Sequence, residues 1–83
     1  MHQENTRLKT LRLKYKLTQE ELAELAGVNR STLAWAERGR IPSLTAALLI
    51  AQALGTTVEY LFLPLVALNK HKEEDDAVAQ TRP

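Results

Sequence analysis

Residues 19–38 read QEELAELAGVNRSTLAWAER, two helical patterns that meet at Gly27. Just before them Thr18 stands at an N-cap position, and Glu21, three residues on, completes a capping box. Leu22, Ala23, Leu25 and Ala26 then form an apolar stripe. Gly27 ends this helix, because glycine takes the left-handed C-terminal conformation without a Cβ clash. Asn29 caps the next helix, which Gly39 ends, with Leu33 and Ala36 on its inner side. Asn29, Arg30, Ser31, Ala34, Trp35 and Arg38 are left facing outward. Two helices crossing steeply need a small residue where they touch, and Ala23 supplies it. The pattern predicts a helical pair at a sharp angle that keeps one polar edge unburied.

The same spacing extends on both sides. A first helix is expected from about Asn5 to Tyr15, with Leu8, Leu11 and Tyr15 on one apolar face. Lys9, Arg12, Lys14 and Lys16 load its other faces with positive charge. After Arg40-Ile41-Pro42, Ser43 caps a fourth helix, in which Leu44, Ala47, Leu48, Ala51 and Leu54 share a face. Thr57 caps a short fifth helix, VEYLF, and Pro64 permits a sixth through about Leu68. From Asn69 onward the residues are charged, then small and polar, and read as a mobile tail. Apolar and polar residues nowhere alternate over a strand-length window. The expectation is an all-α, five-helix domain over residues 1–68 followed by a tail over residues 69–83.

Composition narrows the function class. A chain of 83 residues builds one small domain with a thin core. It has no cysteine, hence no disulfide and no thiolate metal site. No apolar run approaches membrane-spanning length, and MHQENTRLK lacks a signal peptide's apolar core. The expected compartment is a reducing cytoplasm. Net charge is only +1, but it is unevenly spread. Residues 1–40 hold eight Lys or Arg against five acids, and residues 41–83 hold three against five. Such asymmetry supplies a local basic face without a basic protein.

Catalysis and metal binding find little support. No serine or threonine has a plausible base beside it, and no glycine-rich phosphate loop occurs. His2 and His71 are far apart and lack a carboxylate at ligand spacing. KHKEEDD reads as a solvated charge run. No enzyme activity, metal or cofactor is expected.

Four segments in order, LTQEELAELAGV, NRSTLAWAERG, IPSL and AQALG with VEYLF, carry a resemblance. Residues 8–62 resemble the helix-turn-helix domain of the phage-repressor and Cro family, the XRE-type regulators. The resemblance implies a DNA-binding transcriptional regulator, a repressor by preference, whose third helix enters the major groove. Carried over by position, the implied DNA-contacting set is Gln19, Asn29, Arg30, Ser31, Thr32, Ala34, Trp35, Arg38 and Arg40. Arg30 suits a bidentate contact to guanine, and Ser31 donates or accepts. Trp35 has two readings: it presses on a thymine methyl, or it bends back over the space left by the small Ala36. Gln19, Arg38 and Arg40 suit phosphates, which fix register without reading sequence. The family's glutamine also braces the reading helix. Arg12 and Glu37 match a pair that is salt-bridged in related repressors. Lys16 departs from the pattern, which usually has glycine there.

Partners follow from the same reading. Family dimers set two reading helices one DNA turn apart on a roughly twofold operator. Leu49, Leu61, Phe62, Leu63, Leu65 and Val66 are the candidate homodimer surface, since they offer more apolar area than a thin fifth helix uses. Leu13 also stands at a position that the helical faces leave exposed. The competing reading of residues 61–68 is that they fold back as core. An alternative function is an antitoxin-like or adaptor protein whose segment 63–83 binds a protein partner.

Overall fold

The structure, a computed structural model, describes residues 4–66. Four helices, α1 (Thr6–Lys14), α2 (Gln19–Ala26), α3 (Arg30–Glu37) and α4 (Leu44–Ala53), follow in order. A fifth, α5, occupies residues 58–66. There is no strand among the described residues, and the five-helix, all-α expectation holds. The tail over residues 69–83, the end of the expected sixth helix at Leu68, and both histidines lie outside the described residues.

Local chemistry sets the helix starts. The Thr18 hydroxyl accepts from Glu21 N–H at 3.0 Å, and the Glu21 carboxylate accepts from Thr18 N–H at 2.8 Å. Each group satisfies a backbone donor that the first helical turn leaves unpaired. Ser43 accepts from Ala46 N–H and Thr57 from Tyr60 N–H in the same way. Asn29 holds the N-cap position of α3, but its side chain makes no capping bond. Its amide therefore stays on the surface.

The helix ends share one geometry. Gly27 has φ +79°, and Val28 N–H reaches back to the Ala23 carbonyl at 3.0 Å. At the end of α1 the equivalent left-handed residue is Lys16, φ +60°, with Leu17 N–H bonded to the Arg12 carbonyl at 3.1 Å. A Cβ in that conformation costs about 1–2 kcal/mol. Part of this is offset by the stiffer unfolded chain of a non-glycine residue. Lys16→Gly is therefore expected to stabilise the domain by about 0.5–1 kcal/mol, read as a higher urea midpoint at unchanged slope. An unchanged or lower midpoint would refute this account of the turn.

The core is one cluster to which every helix contributes. Leu8 of α1, Leu22 of α2, Leu33 of α3, Ile50 of α4, and Leu61 and Phe62 of α5 are its large buried members. Ala23, Ala26, Ala36, Ala47 and Ala51 are buried between them, and α2 packs against both α3 and α4. Small side chains at these positions let the backbones approach, which a thin core needs to reach native packing density.

Several periodicity-based assignments change. Tyr15 and Leu25 are exposed, Leu25 by 63%, rather than part of buried stripes. On α4 the buried face is Ala47, Ile50, Ala51 and Leu54, while Leu44 and Leu48 are exposed. LTAALLIAQA is apolar nearly all round, so helical spacing alone leaves its rotational phase open.

The largest change concerns α5. It does not stop at Phe62 and restart at Pro64; it runs through the proline. Proline has no N–H, so the Tyr60 carbonyl loses its intrahelical partner. Arg7 replaces that partner: its Nη1 donates to the Tyr60 carbonyl at 3.0 Å, and its guanidinium lies 4.5 Å from the Tyr60 ring centre. Next to it, the buried Asn5 caps α1 through Oδ1 and donates from Nδ2 to the Leu61 carbonyl at 3.0 Å. With α5 held there, Leu61, Phe62 and Leu65 are buried in the single chain. They are core residues of the single chain, as the competing reading of this segment expected. Leu49 is half-buried against the core and Val66 is half-buried, which leaves Leu63 exposed among the six dimer candidates.

Candidate nucleic-acid interface

Helix α3 is set by what holds its two ends. At its start, the glycine turn after α2 and the packing of Leu33 and Ala36 fix which side faces inward. At its end, Glu37 is 6% exposed and tied to three other segments. Its carboxylate accepts from Arg12 Nε at 2.5 Å and from Arg12 Nη2 at 3.2 Å, a two-pronged pair with α1. It also accepts from Gln19 Nε2 at 3.1 Å, at the start of α2. Its backbone carbonyl accepts from Asn5 N–H at 2.9 Å. Arg12 Nη1 also donates to the Leu17 carbonyl at 2.7 Å. No buried polar side-chain atom among the described residues lacks a partner.

This arrangement has an electrostatic consequence. Glu37 is the one acid of α3, and it points inward onto Arg12. The outward side of the helix and the turn after it carry Arg30, Arg38 and Arg40, all exposed, with no carboxylate on that segment to neutralise them. Among the described residues no group of three or more His, Asp or Glu is placed to hold a metal ion. No helix among them is long and apolar enough to cross a membrane.

The candidate residues do not all lie together. Asn29, Arg30 and Ser31 are exposed at the start of α3, with Thr32 and Ala34 half-buried behind them. Gln19 is half-buried, its amide turned toward Glu37, so it braces α3. Trp35 lies on the outside at 48% exposure, with Ala36 closing the core beneath it. Trp35 is therefore an exposed residue, not one enclosed in the core. Its ring instead meets two guanidinium groups, with Arg38 Cζ 5.3 Å and Arg40 Cζ 5.0 Å from the ring centre.

A helix-turn-helix family model matches residues 8–61. The chain belongs to the XRE-type helix-turn-helix family. An uncharacterized HTH-type transcriptional regulator of Archaeoglobus fulgidus is 44% identical over 59 residues, spanning 70% of this chain and 84% of that protein. A like-named protein of Methanothermobacter thermautotrophicus is 53% identical over 49 residues, 57% of this chain and 71% of its own. YgzD of Bacillus subtilis, also an uncharacterized HTH-type transcriptional regulator, is 40% identical over 57 residues, 68% and 86% of the two chains. No solved structure gives a significant match.

Within this helix-turn-helix chain, α2 and α3 are the paired helices, and the matched stretch begins after Asn5 and Arg7. Those two residues, with Tyr60, are structural participants that the sequence reading missed. Asn5 carried a signal as an N-cap residue type. A proline inside a helix signals an orphaned carbonyl, but nothing in the local sequence identifies Arg7 as its partner.

Proposed function

We propose that this protein binds double-stranded DNA in a sequence-dependent way as a transcriptional regulator, a repressor, by inserting α3 into the major groove. One observation carries the reading. The exposed edge of α3 bears Arg30 and Ser31, and the segment's single acid is withdrawn onto Arg12. A polar helix edge with exposed guanidinium groups, no outward carboxylate of its own and a rigid support matches the geometry of a groove-reading helix. The names of the relatives support the regulator class. Arg30 and Ser31 are assigned to base edges, with Asn29, Thr32 and Ala34 beside them. Arg38 and Arg40 are assigned to phosphates, and Gln19 to bracing.

The protein is proposed to act as a homodimer on a twofold operator, with half-sites about 34 Å apart. Of the apolar candidates, the exposed Leu63, with Leu49 and Val66 half-buried, remains to serve such a contact. The adaptor alternative falls mainly on residues 67–83, outside the described residues.

Selection of bound sequences from a random duplex pool tests all of this together, since it returns half-site, symmetry and spacing. Affinity for the selected duplex is expected to fall steeply with salt, because neutralised phosphates release counterions. Arg30→Ala is expected to cost about 1–3 kcal/mol and to relax preference at one position in each half-site. A pool that shows no enrichment, or an affinity indifferent to salt, would sink the proposal.

A further inference from the structure

We infer that Trp35 is a positioning residue for the phosphate contacts, not a reader of bases: it is the shelf on which Arg38 and Arg40 are held. The inference rests on the DNA-binding reading above and adds a division of labour within that site.

Two independent features of the chain bring the arginines to the same ring. Arg38 follows Trp35 by three residues, the spacing that stacks side chains along one helix face. Arg40 arrives by a different route. Gly39 takes φ +105°, the chain reverses, and Arg40 N–H bonds to the Trp35 carbonyl at 3.0 Å. That turn sets the Arg40 side chain beside the indole. The ring centre lies 5.3 Å from one guanidinium carbon and 5.0 Å from the other, within the range of cation–π attraction. Trp35, Arg38, Gly39 and Arg40 line a single shallow crevice on the outside of the molecule.

Two guanidinium groups this close repel each other, and long side chains lose rotamer freedom on binding. The indole that both approach offsets both effects. Its negative face attracts each cation, and its rigid plane limits the conformations that each arginine explores before DNA arrives. Guanidinium also stacks on aromatic rings without giving up its in-plane donors, so both forks remain available to phosphate oxygens. A ring already engaged by two cations is poorly placed to lie against a thymine methyl. Trp35 therefore acts on DNA through its neighbours, and Arg30 and Ser31, one to two turns earlier on α3, do the reading.

A double-mutant cycle decides the matter. The proteins are the wild type, Trp35→Ala, Trp35→Phe, Arg38→Ala/Arg40→Ala, and the triple variant with Trp35→Ala. Each is titrated into the selected duplex and into a scrambled duplex, at several salt concentrations, with urea midpoints recorded alongside. Trp35→Ala is expected to weaken both duplexes by the same factor, roughly fivefold, with an unchanged midpoint. Trp35→Phe, which keeps an aromatic face, should recover most of that loss. In the arginine-deleted background, removing Trp35 should change affinity by less than about twofold, because its effect runs through the missing groups. An equal loss in both backgrounds, or a loss confined to the selected duplex, overturns the inference and returns Trp35 to base reading. A wild-type chain that binds neither duplex sinks the regulator reading, and this inference with it.

Discussion

Replacing Glu37 by alanine is expected to lower the unfolding free energy by about 3–5 kcal/mol, as breaking an enclosed ion pair on one side does. Arg12 is 8% exposed and Glu37 6%, so neither charge can recover its hydration without moving the helices that hold it. Alanine would leave the Arg12 guanidinium without its carboxylate, Gln19 Nε2 without its acceptor, and the end of α3 untied from α1 and α2. In a domain this small such a loss is a large share of the total stability. Urea denaturation measures it. A double variant, Arg12→Met with Glu37→Leu, should restore most of the loss, because a well-packed apolar pair avoids the unpaired charge. The pair would then be needed for geometry more than for net stability. A Glu37→Ala midpoint no lower than that of an exposed control, Glu24→Ala, would refute the role assigned to this carboxylate.

Phe62→Ala should be comparably severe, costing about 3–4 kcal/mol, and its neighbour Leu63→Ala should cost less than about 0.5 kcal/mol. Phe62 is among the largest fully enclosed side chains of the chain, whereas Leu63 is 53% exposed. The comparison separates a core role for α5 from an interface role. If α5 supports the monomer core, the Phe62→Ala loss is the same at every protein concentration. If Phe62 instead served a dimer contact, its effect would fade on dilution, as the stability of associating chains depends on concentration. A loss that vanishes at low concentration would overturn the placement of α5 in the core.

The parts of this protein that were legible in its sequence are those with short-range causes. The Thr18–Glu21 capping box, the Gly27 turn, and the caps at Ser43 and Thr57 each involve residues at most five apart, so chain neighbours suffice to specify them. The exposed edge at Arg30 and Ser31 follows from one well-marked amphipathic helix between two such signals. The Arg12–Glu37 pair was named only through family resemblance, since 25 residues separate its members and no local rule joins them.

The sequence by itself determined that the described residues fold as helices and where α1 to α4 begin and turn; through the family resemblance it also marked Lys16 as standing where glycine is usual. Only the tertiary structure decided the rotation of α4, the passage of α5 through Pro64, and the burial of Leu61, Phe62 and Leu65. The physical reason is range. Capping and turn conformations are settled within one helical turn, whereas the buried side of a nearly all-apolar helix depends on which surface it meets. A proline's orphaned carbonyl likewise depends on a donor brought by a distant segment, here Arg7, 53 residues away in the chain.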